Sequence, residues 1–268
     1  MTAFNLSGVM QTLTIPLYFR HLENTGAHPV LSDPLATSLV NSLDYDFSHL
    51  DDPAFWPTKV GIVNRTCILD EVANELAHKN SEINIINLGA GLCTREQRLQ
   101  LNNANWYHVD LDQVAALRSE LFPDSNILAG DALKVGIWAD NIDNRLPTLV
   151  IAEGFMMYQD DKQARQLFER LAEIFPRVTV TFEILGWGHA YSTQSIKVLN
   201  GYSAEIKWSP KDPMPLLTEA DPRYRLLAAT NVQDVNKHLW RHYRWIMMMM
   251  PWVDKNKHSN RIVTVTTH

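Results

Sequence analysis

The stretch I-I-N-L-G-A-G-L-C-T-R, residues 85–95, constrains this chain more than any other. An apolar run ends at Leu88 and turns on two glycines, Gly89 and Gly91. Downstream, residues 106–112 read W-Y-H-V-D-L-D, a second short apolar run closing on acid. A strand, a Gly-x-Gly turn, a helix, and a strand ending in a carboxylate about 20 residues on form the frame of a nucleotide-type cofactor site. Glycines let the backbone approach the ligand, and the carboxylate accepts from two ribose hydroxyls.

Three features separate the candidate cofactors. A dinucleotide turn wants a small third residue three positions after the second glycine, and Thr94 stands there. No Gly-x-x-x-x-Gly-Lys-Ser/Thr occurs, so a phosphate-cradling loop is absent. The third strand ends in Ala129-Gly130-Asp131-Ala132, whose acid is placed to accept from an adenine amino group. Ribose and adenine without a pyrophosphate describe S-adenosylmethionine.

The rest of the chain fits a doubly wound, mostly parallel seven-stranded α/β sheet. Strands are expected at 83–88, 105–109, 126–129, 148–152, 178–184, 224–229 and 261–267, with helical runs at 94–102, 111–121 and 161–175 between the first five. Residues 1–80 read as helical: 6–20 interrupted by Pro16, a proline-led helix from Ser32, and a long helix over 58–79. We expect one methyltransferase-like domain over 1–268. It comprises a helical lid (1–80), a cofactor-binding half (81–185), and an inserted helical segment followed by the last strands (186–268). Residues 232–250 read as helix, and the run Met247–Met250 as core filler rather than a metal site.

Composition narrows the function classes. A formal charge of -6 and no basic stripe argue against nucleic acid. No apolar segment reaches the ~20 residues that span a bilayer, and the N-terminus does not read as a signal peptide, so no membrane partner and a cytoplasmic location are expected. The two cysteines, Cys67 and Cys93, lack metal-ligand spacing, so no metal and no disulfide are expected.

Several spaced motifs carry a resemblance. N-L-G-A-G-L-C-T-R-E-Q-R-L from Asn87, W-Y-H-V-D-L from Trp106 and A-E-G-F-M-M-Y from Ala152 resemble the leucine carboxyl methyltransferase superfamily. Within it they are similar to the bacterial polyketide O-methyltransferases of the tetracenomycin type. T-I-P-L-Y-F-R from Thr14, S-D-P-L-A from Ser32 and N-R-T-C-I-L-D from Asn64 extend the likeness over roughly residues 12–185.

The resemblance implies that Arg65 pairs with the methionine carboxylate and that Gly89, Ala90 and Gly91 line the same end. It places Asp110 on the ribose, Leu111 beside the adenine, and Asp131 and Ala132 at the adenine edge. Glu153 is expected by the sulfonium and amino group, with Gly154 leaving room for the substrate. The family pattern usually has aspartate where this chain has Cys93, which removes a charge and an acceptor from the turn.

Transfer from a sulfonium needs alignment and exclusion of water more than acid–base help. The sequence offers no His/Asp dyad at a strand end, and His189 reads as structural. This tilts the acceptor toward a carboxylate or an acidic hydroxyl of a small, aromatic or polyketide-like molecule. Tyr18, Arg20 and Tyr158 are the candidates for holding it, and Arg20 and Tyr158 the catalytic candidates. A non-catalytic S-adenosylmethionine-binding homologue, or a methyltransferase of a protein C-terminal carboxylate, are the alternatives.

Overall fold

The structure, a computed structural model, describes residues 12–186, 205–240 and 260–268. Expectations for residues 1–11, His189 and Met247–Met250 lie outside the described residues. Seven strands form one sheet in the order β3-β2-β1-β4-β5-β7-β6. They are β1 (Ile83–Leu88), β2 (Ala104–Asp110), β3 (Ile127–Ala129), β4 (Thr148–Ala152), β5 (Val178–Ile184), β6 (Arg225–Asn231) and β7 (Arg261–Thr266). The first five pair in parallel, whereas β7 runs antiparallel to both β5 and β6.

Strands β1, β4 and β5 are buried along their whole length, which explains the almost wholly apolar sequence of β4. Alternate residues serve opposite faces. Ile86, Leu88, Val150 and Ala152 join a core with Leu167, Phe168 and Leu171 of one helix, while Ile83, Ile85, Leu149 and Ile151 pack on Ile68, Leu69 and Ala73 of another. The chain leaves β1 toward β2 and later crosses back to β4, so the strand order reverses between them. That reversal opens a crevice beyond their carboxyl ends, where open α/β sheets place ligands.

The helices are α1 (Thr14–Asn24), α2 (Pro34–Ser42), α3 (Trp56–Lys79), α4 (Arg95–Leu99), α5 (Asp112–Leu121), α6 (Val135–Trp138), α7 (Asp161–Ile174) and α8 (Met214–Ala220). Pro16 lies in the first turn of α1, where a missing N–H costs no helical bond, so it does not break the helix. Helix α2 is capped by Asp33, whose Oδ1 accepts from the Ala36 amide. Helix α7 begins with a reciprocal capping box between Asp160 and Gln163.

Two expected helices differ. The run after the glycine turn is a five-residue helix, α4, because Gln100 closes it in a left-handed conformation. Residues 232–240 form two 3-10 turns rather than the start of a long helix. They are held on α3 by Asn64 Nδ2, which donates to the carbonyls of Val232 and Val235. Among the described residues no helix is long and apolar enough to cross a membrane.

His108 on β2 is fully buried, stacks on Trp106 and bonds Glu96 Oε2 through Nε2 at 2.9 Å. Burial is the largest influence and pushes its pKa down to about 4, against the upward pull of Glu96. The ring is therefore neutral in the fold but takes a proton in the unfolded chain below its ordinary value of 6.5. Between about 4 and 6.5 the unfolded state binds more protons, so stability falls on acidification through that window, by an order of 3 kcal/mol for this group. Chemical denaturation across that range should find the His108→Gln variant losing less stability on acidification than the parent; equal slopes would refute the assignment.

Candidate active site

A cavity of about 270 Å³ lies beyond the carboxyl ends of β1, β4 and β5. Its floor is the turn after β1 and the residues following β4. Residues 12–16 and the first turns of α3 form the roof. Residues of α1 and α3 thus lie over the strand ends.

The turn after β1 requires glycine at both positions. Gly89 and Gly91 have φ of +60° and +47°, and a side chain at either would collide as well as strain. A Cβ on Gly89 would meet the Phe155 ring at 2.9 Å, and one on Gly91 would meet Leu13 at 2.8 Å. Asp110, at the end of β2, holds this turn: its Oδ2 accepts from the Gly91 amide at 2.7 Å and its Oδ1 from the Leu111 amide at 2.8 Å. Burial raises its pKa, opposed by those two amides.

Arg65 reaches the cavity from α3. Its Nε donates to Glu153 Oε1 at 3.0 Å and its Nη1 to Glu183 Oε2 at 2.8 Å, while Nη2 has no hydrogen-bond partner among the described residues and faces Gly154. Burial alone would lower its pKa, but Glu183 and Glu153 outweigh it and raise it, so the guanidinium stays charged. The surface pairing of Arg65 with Asp70 or Glu71 that its sequence neighbourhood allows is not made.

Asp70 instead meets Arg95 and Arg98. Arg95 is fully buried, donating from Nε to Asp70 at 2.7 Å and from Nη2 to Glu153 Oε2 at 2.7 Å. Burial would raise the Glu153 carboxyl, yet Arg95 and Arg65 on either side hold it well below the usual carboxylate range. Both Glu153 oxygens are therefore occupied by cations.

The candidate acceptor residues separate. Tyr158 lines the cavity, and its hydroxyl has no hydrogen-bond partner among the described residues. Arg20 also touches the cavity, but it is buried, with Nε on Asp33 at 2.9 Å and Nη2 on the Leu92 carbonyl at 2.8 Å; it braces the turn. Tyr18 is corrected outright. Its ring stacks on Phe47 and its hydroxyl donates to Asp51, off the cavity, and burial with that carboxylate pushes its pKa up to about 12.

The positions expected at the adenine lie outside the cavity, beyond the Gly91–Asp110 bond. The Gly130 amide bonds the Asp110 carbonyl at 2.8 Å, so Asp110 and Asp131 stand at neighbouring strand ends. Leu111 beside them is 56 % exposed, a large apolar side chain left open to solvent. Asp131 caps its own turn through the Leu133 amide. Ala132 is packed in the core, so its methyl is not at a ligand-facing edge.

Sequence reasoning missed Asn87, Arg95 and Glu183. Asn87 lines the cavity and its Nδ2 is buried without a partner among the described residues. Glu183 had a legible signal, an acid near the carboxyl end of V-T-V-T-F-E-I. Among the described residues no group of three or more His, Cys, Asp or Glu side chains is arranged to hold a metal ion.

The ion pairs carry a stability prediction. Arg95→Met removes a cation between two buried carboxylates and should cost about 3–5 kcal/mol. Urea denaturation measures it, and a loss under about 1 kcal/mol would show that Asp70 and Glu153 do not depend on Arg95.

The geometry can be set beside known proteins. The family model for leucine carboxyl methyltransferase matches residues 14–172. The tetracenomycin polyketide synthesis O-methyltransferase TcmP of Streptomyces glaucescens is 30% identical over 216 residues, covering 79% of this chain and 78% of that protein. Among solved structures, a candidate methyltransferase from Thermobifida fusca YX superposes with a TM-score of 0.58 at 11% identity, covering 94% of each chain. A candidate sarcosine dimethylglycine methyltransferase from Galdieria sulphuraria gives 0.50 at 13% identity, covering 77% of this chain and 88% of that one. At such identities the two structures speak to the fold alone, which is the α/β fold of class I methyltransferases. The family match spans more than half of the sequence, and the chain belongs to the leucine carboxyl methyltransferase family.

Proposed function

We propose that this protein is an S-adenosylmethionine-dependent methyltransferase that methylates an oxygen of a small molecule. The observation that carries the reading is Arg65, a buried, cavity-lining guanidinium clamped by Glu153 and Glu183 with Nη2 beside Gly154. Membership of a methyltransferase family sets the reaction class, and the residues present fit this cofactor. A carboxylate suits the open edge of Arg65 through charge-assisted bonds. The Asn87 Nδ2 donor lacks a partner within hydrogen-bond reach of its own side chain's surroundings, and a polar ligand would supply one. The Gly89–Gly91 turn offers backbone with no Cβ in the way, and Asp110 keeps lone pairs for ribose hydroxyls.

When bound, S-adenosylmethionine supplies a methyl group on a sulfonium, activated for in-line displacement. This chain's residues then have three tasks. Arg65 fixes the amino-acid end, and Glu153, locked between Arg65 and Arg95, keeps a negative charge near a cationic centre. Leu13, Ile15 and Pro16 of the roof exclude water. Tyr158, whose hydroxyl has no partner among the described residues, presents it to an acceptor. A carboxylate or acidic hydroxyl on a small aromatic or polyketide-like molecule is the acceptor class that agrees with TcmP, whose name places it in tetracenomycin polyketide synthesis.

Calorimetric titration with S-adenosylhomocysteine tests the cofactor assignment. Arg65→Ala and Asp110→Ala should each weaken binding about tenfold to hundredfold, the size of a hydrogen bond to a charged group. Arg65→Lys keeps the charge beside Glu153 and Glu183 and should fold as the parent does while still binding more weakly. Unchanged affinity in both alanine variants would defeat the assignment.

A further inference from the structure

Gly61 is a glycine for which the backbone gives no reason. It sits on the second turn of α3, a helix of 24 residues, and unlike Gly89 and Gly91 it has no positive φ. Apart from its own helix backbone and chain neighbours, no atom of the described residues would come within 4 Å of a Cβ placed there. Alanine would fit both the conformation and the space, and glycine inside a helix is the less stable choice. The fold therefore does not ask for glycine at this position. The remaining explanation is the cavity that Gly61 lines.

The topology says which part of the cavity this is. Pro57, Gly61 and Arg65 are successive i, i+4 neighbours on the lining face of α3. At ~1.5 Å per residue, Gly61 stands about 6 Å from Arg65 along the helix, toward its N-terminus. Three further lining residues are Leu185 after β5, Gln233 after β6 and Asn260 before β7. In the order β3-β2-β1-β4-β5-β7-β6 they lie across β1 and β4 from Asp110, which ends β2. Ribose is assigned to the β2 side, so the side of β5, β7 and β6 is left for the acceptor. Giving this side to the acceptor rests on the cofactor reading above and deepens it.

The space beside Gly61 is kept from collapsing by anchors on either side of it in α3. Asn64 Nδ2 donates to the carbonyls of Val232 and Val235, and the Trp240 ring meets Trp56 edge to face with centroids 6.1 Å apart. The segment from Val232 to Trp240 is thereby fixed to the helix at both ends. Val232 and Trp240 line the cavity, as does Ile62 beside Gly61, so this end is apolar. Bare helix backbone bordered by an indole and aliphatic side chains suits an aromatic ring, which buries a large area at low conformational cost.

We propose that Gly61 is a specificity-determining residue of the acceptor pocket, and that the methyl acceptor seats an aromatic ring against the α3 backbone there. The missing side chain is the space the ring takes. The ring is held in the same way whether the methylated oxygen belongs to a carboxylate or to a hydroxyl. A side chain at 61 would compete with the acceptor and leave the cofactor's end of the cavity as it is.

The test uses the full chain with S-adenosylhomocysteine present and two probe pairs: benzoate with cyclohexanecarboxylate, and phenol with cyclohexanol. Calorimetry should find an aromatic member bound about threefold to tenfold more tightly than its saturated partner. Gly61→Leu should weaken that aromatic probe at least about tenfold, because the side chain fills the ring's space. Its affinity for S-adenosylhomocysteine should stay within about twofold of the parent's. Gly61→Ala should weaken the probe less and raise Tm by about 1–4 °C, a gain that separates a blocked pocket from a damaged fold. Parental probe affinity in Gly61→Leu, no aromatic preference in either pair, or no binding of either aromatic probe overturns the proposal. So does a lowered Tm in Gly61→Ala, which would make glycine a demand of the fold. Loss of S-adenosylhomocysteine binding by a Gly61→Leu variant of parental Tm also overturns it, since the cofactor would then lie against this turn of α3. Failure of the parent chain to bind S-adenosylhomocysteine at all would instead overturn the cofactor assignment.

Discussion

The site depends on a buried chain of alternating charges. Arg20 pairs with Asp33, Asp33 with Arg98, Arg98 with Asp70, Asp70 with Arg95, Arg95 with Glu153, Glu153 with Arg65, and Arg65 with Glu183. Four cations and four anions make the row neutral, so the interior carries no net charge from it. Each member is expensive to bury alone, and that cost is offset only while both neighbours stay in place. The row therefore acts as a positional constraint more than as a source of stability. It runs from α1 and the cap of α2, through α3 and α4, to the ends of β4 and β5. By that route the helical N-terminal region is registered against the strand ends whose crevice it covers.

Much of the fold is legible in the sequence because the sheet is buried on both faces. Strands at 83–88, 148–152 and 178–184 match the observed bounds, since short runs rich in apolar and β-branched residues and flanked by turns have few other uses. The failures are equally physical. The helix expected over 94–102 shrinks to Arg95–Leu99 because Gln100 closes it in a left-handed conformation that no pattern of apolar spacing announces. The 3-10 turns at 232–240 follow from Asn64, a residue about 170 positions upstream, which takes the carbonyls a helix would have used.

The site divides along the same line. The glycines and Asp110 announce themselves because the chemistry is local: a turn needing positive φ and a strand-end acid at set spacing. Arg65 is legible through resemblance, and its partners are not, because Glu153 and Glu183 lie 88 and 118 residues away. Tyr18 misleads for the complementary reason. A tyrosine beside Arg20 near a lid is plausible as a substrate contact, but Phe47 and Asp51, on the loop between α2 and α3, claim its ring and hydroxyl first.

The same distinction bears on Cys93, where the resemblance leads us to expect an acid. If the residue 93 side chain held the turn, its loss would collapse the floor of the cavity. The turn is instead held through backbone atoms by side chains from elsewhere. Asp110 accepts from the Gly91 amide, and Arg20 donates to the Leu92 carbonyl. Arg118 donates to the carbonyls of Gly91 and Cys93, and the Cys93 amide bonds the Ala90 carbonyl. None of these contacts involves the residue 93 side chain. What the thiol changes is charge. Arg118 is fully buried with no carboxylate bonded to it, its guanidinium resting over Phe122 at 4.3 Å, and burial lowers its pKa. Arg95 retains a weak 3.5 Å contact to the sulfur. The turn thus keeps its backbone supports without the residue 93 side chain, while a thiol leaves it more positive than an acid at that position would.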